Sequence, residues 1–107
     1  MEQRASADAV RNEPQCYYVY ILRLSNSRYY VGCTNDLKKR IREHNSGFVF
    51  STKNKIPYDI IHYEAFLNKK DAFLREKWLK TGWGRNQIKK MLKNYFMEMN
   101  PPKLSDK

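Results

Sequence analysis

Tyr17-Tyr18-Val19-Tyr20-Ile21-Leu22, then Tyr29-Tyr30-Val31-Gly32, then Asn35-Asp36-Leu37-Lys38-Lys39-Arg40-Ile41-Arg42-Glu43-His44 decide how this chain folds. The first two blocks are β-branched and aromatic runs separated by Ser25-Asn26-Ser27-Arg28, the pattern of two strands joined by a short hairpin loop. The third block opens a helix, with Asn35 as N-cap and Asp36 in the first turn. At 100° per residue, Leu37, Arg40, Ile41 and His44 share the face that packs on the hairpin, while Lys38, Lys39, Arg42 and Glu43 turn away. A guanidinium at the edge of a core is costly unless it is paired or used. Arg40 therefore snorkels over Ile41, pairs with an acid from elsewhere in the fold, or serves chemistry.

Outward from this stretch, strands are expected over residues 16–24 and 28–33, and the first helix over 36–45, stopped by Ser46-Gly47. Residues 48–57 read as a loop whose segment 51–55 is polar and basic, facing either solvent or an anionic partner. The β-branched and aromatic run 58–66 predicts a third strand that completes a mainly antiparallel sheet beside the hairpin. His62, in mid-strand, reads as structural. Asn68 caps a second helix over 69–81, stopped by Gly82. Its buried arc is expected to be Ala72, Leu74, Trp78 and Leu79. Glu76 lies at the arc's border, where it either meets solvent and a ligand or pairs with Lys80 at i,i+4. A last helix over 85–97 turns Ile88, Met91, Leu92, Tyr95 and Phe96 to one side. Lys89, Lys90 and Lys93 lie on the other, a row that faces solvent or a phosphate backbone. The expected fold is thus α/β (α+β): a small three-stranded sheet flanked by about three helices, in the order β-β-α-β-α-α. Residues 1–15 read as a disordered leader, 16–97 as the single domain and 98–107 as a flexible tail.

A 107-residue chain has room for one small core, and its eight Tyr and five Phe let a few large rings supply most of the buried area. The net charge is +10, and it is concentrated: residues 16–97 carry 17 basic and 6 acidic side chains. A cationic domain of this size attracts polyanions, most simply nucleic acid. Two cysteines, Cys16 and Cys33, are too few for a disulfide framework, and there is no Cys/His cluster for zinc. Without an apolar run long enough for a bilayer or a signal peptide, the expected location is the cytosol, or the nucleus of a eukaryotic or viral host.

The same residues resemble the GIY-YIG endonuclease superfamily, and in particular its small single-domain branch. Tyr18-Val19-Tyr20 stands where that family has Gly-Ile-Tyr, and Tyr30-Val31-Gly32 where it has Tyr-Ile-Gly. Arg40 and His44 follow as its Arg-x-x-x-His step. Leu74-Arg75-Glu76-Lys77-Trp78-Leu79-Lys80 resembles the helix that carries its metal-binding glutamate. Tyr18 departs from the family glycine, and Asn86 lies near the spacing of a downstream asparagine.

The resemblance implies a metal-dependent endonuclease acting on DNA, with RNA not excluded, that cuts with structural or weak sequence selectivity. A protein partner that supplies targeting is compatible with it. The candidate catalytic residues are Tyr20, Tyr30, Arg40, His44 and Glu76, with Glu76 as ligand of Mg²⁺ or Mn²⁺. Candidate substrate contacts are Gly32, Lys39, Lys53, Lys55 and Asn86. The chemistry suits these types. One carboxylate suffices for Mg²⁺ when phosphate and water fill its other positions. Arginine's planar fork gives a phosphate two charge-assisted hydrogen bonds. Tyr30 would activate water, although a phenol of ordinary pKa, near 10, needs nearby positive charge to do so at pH 7. The alternative is a module of the same fold that binds nucleic acid without cutting it.

Overall fold

The computed structural model describes residues 15–25, 28–47 and 59–99. The expected leader, the loop at 48–57 with Lys53 and Lys55, and the expected tail from residue 100 onward lie outside the described residues. Three strands form one sheet, β1 (Tyr17–Arg23), β2 (Tyr29–Thr34) and β3 (Asp59–Phe66), ordered β2-β1-β3 with both pairings antiparallel. The helices are α1 (Leu37–Asn45), α2 (Lys69–Leu79), α3 (Gly82–Met91) and α4 (Lys93–Met99).

The centre strand explains the layering. Val19, Tyr20, Ile21 and Leu22 are all buried, because helices cover both faces of β1. Val19 and Ile21 join Val31, Ala72, Leu79 and Ile88 in one cluster, under α2 and α3. Tyr20 and Leu22 point the other way, where Tyr30 and the α1 residues Leu37 and Ile41 close over them. This is the face that the spacing Leu37, Arg40, Ile41, His44 predicts. Asp36, rather than Asn35, caps α1: its Oδ1 accepts from the Lys39 amide at 3.1 Å. Gly47, at φ 83°, ends the helix, with its N–H on the His44 carbonyl.

Three expectations about the other helices are corrected. Leu74 and Trp78 do not belong to the buried arc of α2, being 54% and 40% exposed. The docked stripe is Ala72, Arg75, Glu76 and Leu79, an i, i+3, i+4, i+7 set with two charged members. Arg75 is accommodated because Glu64 of β3 accepts two of its N–H groups, at 2.9 and 3.0 Å. Burial alone would raise the Glu64 pKa, but Arg75 and then His62 hold it below the usual range. His62 is thereby structural, its Nε2 lying 2.9 Å from Glu64 Oε2.

Second, Gly82 begins α3 instead of ending α2. Thr81 does both jobs at the junction: its hydroxyl donates to the Trp78 carbonyl and accepts from the Gly84 amide. Third, the expected last helix is two, parted at Leu92, whose φ of −109° and ψ of 26° leave the helical region. Among the described residues no helix is long and apolar enough to cross a membrane, and Cys16 and Cys33 are not linked to each other.

Candidate active site

Tyr20 is the hub of the site. Its register partner on β2 is Gly32, and a Cβ there would lie 2.5 Å from Tyr20 Cζ, well inside contact distance. Gly32 thus makes room for the Tyr20 ring, whereas sequence reasoning assigned that room to substrate. The ring is completely buried, and its hydroxyl meets two α1 side chains one turn apart. Arg40 Nε–H donates to Tyr20 Oη at 3.4 Å, and Tyr20 Oη lies 2.9 Å from His44 Nε2.

The electrostatics orient this chain. Burial, followed by the Arg40 charge, pushes the His44 pKa down to about 4, so the imidazole is neutral at pH 7. Burial likewise pushes the Tyr20 phenol up to about 12, against the opposing hydrogen bond from Arg40. Tyr20 therefore keeps its proton, accepts from Arg40 and shares a hydrogen bond with His44 Nε2. The Tyr20 hydrogen bond also raises the Arg40 pKa further, so the guanidinium is permanently charged.

Tyr30 and Arg40 reach the surface where Tyr20 and His44 do not. The half-buried Tyr30 ring stands edge-on to His44, with centroids 4.8 Å apart, and 6.2 Å from the Tyr20 ring. The Arg40 side chain is 36% exposed and is braced by Glu43, whose Oε1 accepts from Nη1 at 3.0 Å. Lys39 and Arg40 border a recess of about 260 Å³ with Cys33, Asp36 and Glu43. Glu76 arrives on α2, from the opposite face of the sheet. Its side chain is only 14% exposed, and Oε2 lies 3.0 Å from Lys80 Nζ. Its charge acts on both Tyr20 and Cys33, raising both pKa values, after burial as the leading cause in each.

The structure thus brings together Tyr20, Tyr30, Gly32, Arg40 and His44, sets Lys39 beside Arg40, and brings the Glu76 charge within reach of Tyr20. Asn86 is exposed on α3 and makes no recorded contact with this group. Sequence reasoning missed Glu43, which it turned away from Arg40. The signal was available, since residues three apart on a helix are neighbours.

The GIY-YIG catalytic-domain profile matches residues 16–90, spanning every element of the site. The chain belongs to the GIY-YIG family. Family membership carries nuclease activity as its general expectation. Among similar proteins is the UPF0213 protein CPE1444 of Clostridium perfringens, 36% identical over 91 residues, covering 78% of this chain and 97% of that one. The UPF0213 protein YsiG of Lactococcus lactis is 39% identical over 79 residues, covering 73% of this chain and 76% of that one. A solved structure, the UPF0213 protein BH0048 from Bacillus halodurans, is 29% identical with a TM-score of 0.48, covering 71% of this chain and 84% of its own.

His44 offers a test of the GIY-YIG site's internal order. An unfolded histidine titrates near 6.5, and the folded one near 4. Between those values the unfolded chain binds a proton that the native state refuses. Stability contributed by neutral His44 is complete above pH 6.5 and is lost as pH falls toward 4, by about 3 kcal/mol in all. Denaturant midpoints at pH 7 and pH 5 should therefore converge in His44→Gln relative to the wild type, even though the variant is less stable at pH 7.

Proposed function

We propose that this GIY-YIG protein is a divalent-metal-dependent endonuclease that hydrolyses phosphodiester bonds in DNA, with structural or weak sequence selectivity. The observation that carries this reading is the relay Arg40–Tyr20–His44, a hydrogen-bonded chain that fixes one permanently charged guanidinium at the rim of a recess it shares with Lys39. Holding a guanidinium this rigidly is costly for a surface residue with no task, and useful for one that must meet a phosphoryl oxygen as charge develops there.

Roles then divide by exposure. Arg40, with Lys39 beside it, binds and neutralises the scissile phosphate. Tyr30 is the one phenol of the pair that water and substrate can reach; once it has given its own proton to solvent, the phenolate would take the proton from the attacking water. Tyr20 and His44 are fully buried, so they are positioning residues: they fix Arg40 and the Tyr30 ring without touching substrate. Gly32 serves the same end by seating the Tyr20 ring.

The carboxylate available is Glu76, and a hard divalent cation can take one carboxylate and complete its shell from water and substrate. Glu76 would hold it, as Mg²⁺ or Mn²⁺. When bound, the ion supplies positive charge for the departing 3′ oxygen. Lys80 must release Glu76 Oε2 for this.

The alternative, a module that binds without cutting, draws on that same Glu76–Lys80 pair, in which the carboxylate is engaged as a helix-surface partner. A cleavage panel of single strands, duplexes, flaps and branched junctions, run with Mg²⁺, with Mn²⁺ and with EDTA, separates the two. Products on at least one substrate in either metal and none in EDTA are expected. Binding of every form with no cleavage of any would leave the module.

A further inference from the structure

Along the outer edge of β2 lies a recess of about 490 Å³, walled on its far side by α2 and α3. Its floor is apolar, made by Val31, Leu79 and Ile88. Four cations stand around it, Arg28, Lys80, Arg85 and Lys89, and none of the described residues lining it is acidic. Four cations around an apolar floor, with no acidic residue among the described lining, are a mark of anion recognition.

Two features tie this recess to the site. Tyr30 lines it, and Lys80, another lining residue, sits 3.0 Å from the Glu76 carboxylate. At the mouth, Tyr29 is 42% exposed, and its ring is backed by Phe96 of α4 at a centroid distance of 5.3 Å. A ring braced from behind and open in front is a platform for a flat ligand.

A duplex meets a protein mainly with its phosphates, since its bases are stacked and paired inside; an apolar floor and an aromatic platform gain little from it. An unpaired strand offers bases to the floor and platform and phosphates to the surrounding cations. We propose that this recess seats an unpaired nucleotide segment next to the scissile phosphate, so that the substrates of this nuclease carry a single-stranded stretch at the cut. The inference rests on the nuclease reading for its meaning but not for its test, which is binding in EDTA without cleavage.

The probes are an octathymidylate and an octamer of the same backbone whose sugars carry no bases. The octathymidylate should bind about tenfold or more tightly than the abasic strand. Arg85→Ala/Lys89→Ala, at two exposed α3 positions, should flatten the slope of log K against log[salt] for octathymidylate by about 1.4. Lys70→Ala/Lys77→Ala, which removes the same charge from the outward face of α2, should flatten it clearly less. Equal affinity for the two strands, or equal flattening by the two double variants, would overturn the proposal and leave only a general electrostatic field. Because cleavage is measured apart, a protein that cuts but fails here loses only the recess. One that passes here and cuts nothing loses only the nuclease reading.

Discussion

Arg40→Ala should reduce cleavage by about 10²–10³-fold and weaken DNA binding as well, whereas Glu76→Gln should abolish cleavage and leave metal-free affinity unchanged or slightly improved. The contrast follows from charge. On the proposed reading Arg40 meets the phosphate in both the ground state and the transition state, so its loss should be felt in both. Glu76 is an anion beside a polyanion: it opposes binding until a cation covers it, and its replacement also frees Lys80. Tyr30→Phe, which keeps the ring against His44 and removes only the hydroxyl, should lower the single-turnover rate with little change in affinity. Fluorescence anisotropy in EDTA, paired with single-turnover kinetics in Mg²⁺, resolves all three patterns.

Gly84→Ala should be the most damaging single methyl in the described fold. An added Cβ would lie 2.6 Å from the Leu79 carbonyl carbon, and closer still to Leu79 Cα and the Trp78 oxygen, all of them backbone. Backbone cannot swing aside as a side-chain end can, so α2 and α3 must separate where Leu79 and Ile88 meet in the core. The cost is about 3 kcal/mol, or on the order of 15 °C in thermal midpoint for a domain this small. Gly82→Ala, two residues earlier in the same helix, finds nothing within 4 Å of its added Cβ. It should be neutral or stabilise by up to about 1 kcal/mol. Thermal melts of the two variants side by side check the close approach. Midpoints within a few degrees of each other would mean that the helices do not meet there.

Much of this was legible in the chain. The β1–β2 hairpin and the face of α1 could be read because aromatic and β-branched runs, and an i, i+3, i+4, i+7 spacing, encode burial directly. The second helix resisted the same reading. Its wheel favours Leu74 and Trp78, yet the fold docks Arg75 and Glu76, because Glu64 on the preceding strand satisfies the one and Lys80, four residues on, the other. The Arg75–Glu64 pairing is a strand–helix contact that a helical wheel does not display. Gly82 was ambiguous for a different reason: a glycine can end a helix or begin one, and the Thr81 hydroxyl, bonding to both sides, settles it.

The candidate site was legible as a group of neighbours, Tyr20, Tyr30, Arg40 and His44, and not in how the fold disposes them. Tyr20 and Tyr30 look alike in sequence, two strand tyrosines ten residues apart. The fold buries one against His44 with its pKa raised to about 12 and leaves the other half open. The role of Gly32 was hidden similarly, since its register partner is known only once β1 and β2 are paired.

Single-turnover cleavage by Glu76→Gln, with its thermal midpoint measured on the same preparation, tests the proposed active site most directly. A variant that melts within about 1–2 °C of the wild type, binds DNA in EDTA at least as well and cuts no detectable substrate in Mg²⁺ or Mn²⁺ is the predicted result. A folded Glu76→Gln protein that still cuts at near wild-type rate would contradict it, leaving Glu76 as no more than the helix-surface partner of Lys80.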